Sequence, residues 1–407
     1  MAERTARGGY GRARQPASRG AAAQTQASAG GRREHRTAKT YIAQIKSMDF
    51  AILLTTLALV CFGLVMVFSS SYYYAELRYG DGLFYFKKQV IGAVIGFIVM
   101  VILINFNYRR LEKLKWLILI VSIGLLGLVL VPGVGVTLNE ASRWLNIAGI
   151  SIQPAEIGKF ALVLFMASYL AQNQKSVHKF RVGVFPMLIL VGLFCGLIIL
   201  QPNFSTVINI CLLSFVLLYA GGVRIRHLIP IVLAAVVVLV YVLTSADYRM
   251  QRYQVFLDPW ADPQDAGYQL VQSLYAIGAG GFFGTGLGAS RQKLLFLPYG
   301  ESDFIFSIIA EELGFLGVIV VLLLFAILIW RGIKVAINCP DLFGSLLAVG
   351  IVSMVGIQAI INIAVATGSI PPTGVPLPFI SAGLSSLIIF MASIGLLLSV
   401  SRFAKKT

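Results

Sequence analysis

Asp303 stands immediately before Phe304-Ile305-Phe306, where a long apolar segment begins. A carboxylate at such a boundary loses hydration, which raises its pKa toward the range useful for proton transfer. The same position suits a helix N-cap, and position alone weighs the two readings equally. Glu156 and Lys159 sit at i and i+3 in another apolar segment, close enough to pair on one helix face. Ionisable groups there are costly, so they either fix packing or line a polar cavity. Glu311 follows Asp303 by about two helical turns, with Glu312 beside it. Arg143, Arg249, Arg252, Arg291, Gln292 and Lys293 form a rim suited to a phosphate-bearing lipid headgroup.

The elements that must position these side chains are membrane helices. The chain has 407 residues, 58% hydrophobic and only 12% charged, with a net charge of +16. A soluble domain carries about twice that charged fraction. Runs of roughly 20 apolar residues mean helical spans, since barrel strands would alternate with period two. A soluble enzyme, a secreted domain and a cytosolic nucleic-acid binder are excluded. Ten apolar segments are read near 50–70, 90–106, 116–133, 155–171, 184–200, 204–221, 227–244, 304–330, 343–366 and 379–401. The expected fold is an all-α polytopic membrane protein of ten transmembrane helices, with the membrane domain over residues 49–403.

Charge orients it. Most of the 33 Lys and Arg residues fall before span one, in alternate connections and after span ten, which makes both termini, including 404–407, cytoplasmic. Residues 1–48 hold ten Lys and Arg against Glu3 and Glu34 without apolar periodicity. They are expected to be a disordered cytoplasmic tail facing lipid or a partner, neither a cleavable signal nor a nucleic-acid arm. The outer connections are short except for residues 245–303, between spans seven and eight, and a loop of that length is usually functional. Within it, Leu270, Val271, Leu274, Tyr275 and Ile277 share one helical face with Gln269, Gln272 and Ser273 opposite, the pattern of a helix lying in the interface.

Absences narrow the chemistry. His35, His178 and His227 are all cytoplasmic by this topology, and no Cys falls on the outer face. A thiol nucleophile, a His-based triad and a zinc site are therefore excluded there. The glycines at 278, 280, 281, 284, 286 and 288 lack the preceding strand of a nucleotide fingerprint, so close packing, tight turns or a re-entrant segment is the reading.

Several stretches together resemble the shape, elongation, division and sporulation family. They are Phe62-Gly63-Leu64-Val65-Met66-Val67-Phe68-Ser69-Ser70-Ser71, Arg143-Trp144-Leu145, Gln153-Pro154-Ala155-Glu156-Ile157-Gly158-Lys159, Tyr268 to Ser273, Leu297-Pro298 through Phe306, Glu311-Glu312-Leu313-Gly314, and Thr373 through Ser381. The resemblance covers about residues 48–403 in order. The basic tail and Thr373-Gly374-Val375-Pro376 are more similar to the FtsW and SpoVE branch than to RodA.

This resemblance implies a ten-helix fold with a large outer loop after helix seven. It implies a peptidoglycan glycosyltransferase that polymerises lipid II beside a class B penicillin-binding protein transpeptidase and other divisome proteins. Asp303 falls where the family carries its essential acid, Glu156 and Lys159 match its intramembrane pair, Trp144 its outer tryptophan and Lys293 a basic position. Arg143, Gln292 and Glu311 are expected around the same cavity. A lipid II flippase and a non-catalytic scaffold are the competing classes. The family often has Gln-Pro-Asp and Leu-Pro-Glu where this chain has Gln201-Pro202-Asn203 and Leu297-Pro298-Tyr299. Two outer carboxylates are thereby missing from any scheme that uses a divalent cation, Mg2+ or Mn2+, and Glu301 could replace one.

Overall fold

The structure, a computed structural model, describes residues 48–404 apart from 139, 140, 148, 149, 245 and 246. The basic tail through residue 47 and the last three residues lie outside the described residues, as do the side chains of Arg249 and Arg252. The α-helices are α1 (Phe50–Tyr79), α2 (Phe84–Asn105), α3 (Leu111–Leu128), α4 (Pro154–Gln172), α5 (Phe185–Ile199), α6 (Phe204–Ala220), α7 (Ile225–Thr244), α8 (Asp247–Leu257), α9 (Tyr268–Gly280), α10 (Ile305–Asn338), α11 (Leu342–Ala366) and α12 (Leu384–Ser401).

Among the described residues, seven segments are long and apolar enough to cross a membrane: α1, α2, α4, Phe180–Ile199, α10, α11 and α12. α6 and Ile225–Val237 of α7 are apolar but shorter. α3 carries Glu112, Lys113 and Lys115 in its first two turns. Its uncharged part, from Trp116 onward, runs only about 20 Å at ~1.5 Å per residue, against a hydrocarbon core of about 30 Å. Apolar residues surround these helices on all sides, so small and polar residues mark the faces that pack together. α2 lies on α12, where a Cβ added to Gly395 would come within 2.7 Å of the Met100 carbonyl oxygen. Asp49 accepts from the N–H groups of Ala51 and Ile52 at the start of α1, pairs with Arg331 of α10 at 2.7 Å, and donates its own N–H to Ser401 Oγ of α12 at 3.2 Å.

Three findings correct the sequence reading. The protein is mostly but not wholly helical. Between α3 and α4, β1 (Gly135–Leu138), β2 (Ala141–Ile147) and β3 (Ile150–Ile152) form an antiparallel sheet in the order β1-β2-β3. Val136, Thr137, Trp144, Ile147, Ile150 and Ile152 supply the β-branched and aromatic residues that favour it.

Secondly, α9 does not lie with Ser273 toward water. Ser273 is buried, sharing a hydrogen bond with Ser307 Oγ at 2.6 Å and donating to the Ala366 carbonyl at 2.7 Å, while Tyr275 is exposed. A small hydroxyl at that position lets α9 approach α10 closely and still satisfies its polar atom.

Thirdly, α10 is broken. Gly314 adopts φ 65° and ψ −162°, a conformation essentially reserved for glycine. The groups freed by the break pair with the glycine-rich stretch. Thr285 N–H donates to the Glu311 carbonyl at 2.9 Å and Gly286 N–H to that of Glu312 at 3.0 Å, while Phe315 and Leu316 N–H donate to the carbonyls of Gly281 and Phe282 at 3.0 and 3.3 Å. Gly280, Gly281, Gly284 and Gly286 are therefore a packing and pairing device. A Cβ on Gly284 would sit 2.2 Å from the Glu312 carbonyl oxygen.

Candidate active site

Asp303 is the last residue but one before α10, and the cap position falls on Phe304, whose side chain makes no capping bond. Residues 301–303 run along the segment between α11 and α12. Asn362 Nδ2, on α11, donates to the Asp303 carbonyl at 2.8 Å and to the Val375 carbonyl at 2.8 Å. Ser381 Oγ donates to the Ser302 carbonyl at 2.6 Å and accepts from Leu377 N–H at 2.7 Å. Ala382 N–H donates to the Glu301 carbonyl at 2.9 Å. The Asp303 carboxylate lies beside Gly374, with Oδ2 3.4 Å from where a Cβ on that glycine would sit. The irregular backbone ending at Asp303 is thus held by one helix side chain, Asn362, and by Ser381 and Ala382 of the segment between α11 and α12.

Glu156 and Lys159 are brought to the same assembly. They pair at 2.8 Å, and both side chains are buried. Lys159 Nζ also donates to Gln358 Oε1 at 2.5 Å, and Gln358 Nε2 donates to the Pro376 carbonyl at 3.0 Å. Gln358 and Asn362 are four residues apart on α11 and so share a face. One helix face therefore links the ion pair, the 375–376 backbone and Asp303. The second oxygen of Glu156 is buried without a hydrogen-bond partner, as are Asn362 Oδ1 and Thr373 Oγ1.

Glu311, Lys293 and Gln292 gather in a separate cluster around the break in α10. The Glu311 carboxylate is buried. It accepts from Arg291 N–H at 2.8 Å, from Gln292 N–H at 3.4 Å and from the Ser290 hydroxyl. Lys293 Nζ pairs with Glu312 at 2.7 Å, and Ser69 Oγ of α1 donates to the same carboxylate at 2.7 Å. Both glutamates are spent on holding the 290–293 backbone and its lysine, a positioning role.

Glu301 is half-buried and lies within electrostatic reach of Tyr74 and Tyr85. Burial pushes its carboxyl above the ordinary value of 4.5. A carboxyl raised in the folded state contributes stability that is full below the ordinary range and lost as pH rises through the raised value. Glu301→Gln, neutral throughout, is expected to lack that loss. The check is the thermal midpoint in detergent as pH rises above about 4.5, where the native chain should fall more than the variant. Arg143, on β2, donates to the carbonyls of Gln201, at 3.3 Å from Nε, and Pro202. Trp144 follows it on the strand, partly exposed. Neither is joined to Asp303 by any bond described above.

Sequence reasoning missed Gln358, Asn362, Ser381, Ser69 and Ser290. For the first two a signal existed, since they are the side-chain amides of the apolar helix 342–366, one turn apart. Among the described residues no three of His, Cys, Asp and Glu converge as a cage for a metal ion.

The comparisons extend over this whole assembly. The family model for FtsW, RodA and SpoVE, described as "Cell cycle protein", matches residues 50–406. Stage V sporulation protein E of Bacillus subtilis is 43% identical over 359 residues, 88% of this chain and 98% of that protein. A Geobacter sp. (strain M18) protein named "Probable peptidoglycan glycosyltransferase FtsW" is 40% identical over 358 residues, again 88% and 98%. Among solved structures, a chain from work on polymerization and crosslinking by a peptidoglycan synthase complex superimposes with a TM-score of 0.72 at 29% identity, covering 87% of this chain and 98% of that one. The crystal structure of the Thermus thermophilus rod shape determining protein RodA gives 0.65 at 28%, covering 88% and 98%. With the family match running from the first turn of α1 past the end of α12, the chain belongs to the FtsW/RodA/SpoVE family of cell cycle proteins.

Proposed function

We propose that the chain is a peptidoglycan glycosyltransferase that polymerises lipid II, the undecaprenyl-pyrophosphate disaccharide-peptide, on the outer face of the bacterial cytoplasmic membrane. The observation that carries the chemistry is Asp303, a partly exposed carboxylate whose backbone is fixed by Asn362. Asp303 accepts the proton of the acceptor sugar's 4-hydroxyl, and that oxygen attacks the anomeric carbon of the donor. The bond from that carbon to the pyrophosphate breaks, and undecaprenyl pyrophosphate leaves. One base and a direct displacement invert the centre, so an α-linked donor becomes a β-linked strand.

The leaving group needs cationic help. Lys159 and Lys293 are committed to Glu156 and Glu312, so they hold the framework. We assign the leaving group to the outer basic rim, in which Arg143 is partly exposed on β2 and Arg291 is exposed with its backbone N–H fixed by Glu311. A divalent cation would rest on Asp303 and the substrate's own phosphates, a ligand set of the kind Mg2+ takes, and would supply charge neutralisation there.

Ten spans, in which the bilayer thins locally around the shorter α3, α6 and α7, both termini cytoplasmic and the 245–303 loop outside complete the reading. Septal synthesis beside a class B penicillin-binding protein transpeptidase and other divisome proteins is its setting. The 43% and 40% identities to the sporulation and FtsW proteins, against 28% for the rod-shape protein, support that branch. The test is the purified chain, alone and with its cognate transpeptidase, given labelled lipid II. Polymer establishes the enzyme. No polymer, with lipid II still crossing the bilayer of proteoliposomes, replaces it with a flippase, and neither activity leaves a scaffold.

Asn362→Leu provides a second check. It leaves the Asp303 and Val375 carbonyls without their donor, at about 1–3 kcal/mol for each buried group. Turnover is expected to fall with little change in KM, because Asp303 is displaced while substrate contacts elsewhere stay. A raised KM at native turnover would place Asn362 in binding.

A further inference from the structure

We propose that Phe282 and Phe283 form an apolar finger inserted among the acyl chains of the outer leaflet, holding the loop that ends at Asp303 at headgroup level. Both side chains lie in the turn after α9, and they are 56% and 77% exposed. Residues 281–289 contain no charge. Their depth is fixed by backbone pairing, because the Gly281 and Phe282 carbonyls accept from Phe315 and Leu316 at 3.0 and 3.3 Å.

Phe315 and Leu316 begin the straight part of α10. From there to Asn338 the helix runs about 36 Å at ~1.5 Å per residue, enough to cross the hydrocarbon unaided. The first turn after Gly314 is therefore the lipid boundary, and the finger lies beside it. The Phe282 ring meets Phe315 with centroids 5.8 Å apart, and Phe283 meets Phe282 at 5.0 Å. Phe315, Leu316, Val320 and Leu323 are exposed along the same helix, so the apolar surface of the finger continues into the side of α10 available to lipid.

Immediately on the other side of the break, Glu312 and Lys293 are paired and Glu311 accepts from the Ser290 hydroxyl and the Arg291 and Gln292 N–H groups. Apolar rings below and a closed charge cluster above would set the loop's height. A lipid substrate carries its pyrophosphate at that height, so the consequence for activity rests on the glycosyltransferase reading, whereas the lipid contact does not.

The experiment places p-benzoylphenylalanine at position 283 of the full chain, irradiates it in native membranes and in phospholipid vesicles, and identifies the adduct by mass. A phospholipid adduct in both is expected. A protein adduct in native membranes, or no lipid adduct in vesicles, overturns the proposal. In parallel, Phe282→Ser with Phe283→Ser is expected to lose most polymer synthesis in vesicles and keep it in detergent. Equal loss in both, with a lowered thermal midpoint, would make the rings packing elements and also overturn it. If the native chain makes no polymer at all, the enzymatic reading fails while the adduct still decides the lipid contact.

Discussion

Asp303→Asn is expected to lower the rate of glycan synthesis by about two to four orders of magnitude, the usual contribution of a positioned proton acceptor, without loss of membrane insertion. Asparagine has nearly the same shape and cannot take up a proton. The bonds from Asn362 to the residue 303 carbonyl and from Ser381 to that of Ser302 involve the backbone, so they survive the change. The thermal midpoint in detergent should stay near that of the native chain. The measurement is single-turnover extension of labelled lipid II with excess enzyme, which isolates the chemical step. An unchanged rate would move the base elsewhere, and Glu301 would be the carboxylate to examine next.

Lys159→Met is expected to be the most destabilising single change in the membrane core. It leaves Glu156 charged and buried, with one oxygen already unpartnered and the other deprived of its 2.8 Å partner. Removing one member of a buried pair costs about 3–5 kcal/mol. Yield and thermal midpoint should both drop, and Gln358 Oε1 loses its donor as well. Combining it with Glu156→Gln removes the stranded charge and should recover most of the stability, giving a large coupling in a double-mutant cycle. The paired variant should remain slow, since Gln358 no longer has the ammonium that orients it toward Pro376. A single variant as stable as the native chain would mean that water reaches Glu156 and the pair is not closed.

What was legible in the sequence was what depends on local spacing. The i, i+3 separation of Glu156 and Lys159 dictated their pairing because both fall on one short helical arc. Asp303 could be singled out because the apolar run after it marks a boundary. Contacts set by distant segments were not legible. Nothing local to Asn362 says that its amide reaches residues 303 and 375, and nothing local to Glu312 says that Lys293 and Ser69 converge on it. Helical periodicity groups Glu311 with Asp303, yet the break at Gly314 and the loop bonded there give its carboxylate another task. The strands at 135–152 are each short, and a reading tuned to runs of about 20 apolar residues passes over them. Ser273 looked polar and outward, and only the neighbouring Ser307 and Ala366 carbonyl make it an interior residue.

The join at Asp49 has a consequence in time. Asp49 bonds Ser401, 352 residues away, and pairs with Arg331. Ribosomes add about 5–20 residues per second, so the first helix waits roughly 20–70 s in the bilayer before its final contacts exist. Until Arg331 is made, the bonds described at its start are those of the Asp49 carboxylate capping its own first turn. Assembly is therefore completed by the last helix to be made, and a chain truncated before Ser401 would leave the opening of the first helix without its distal latch.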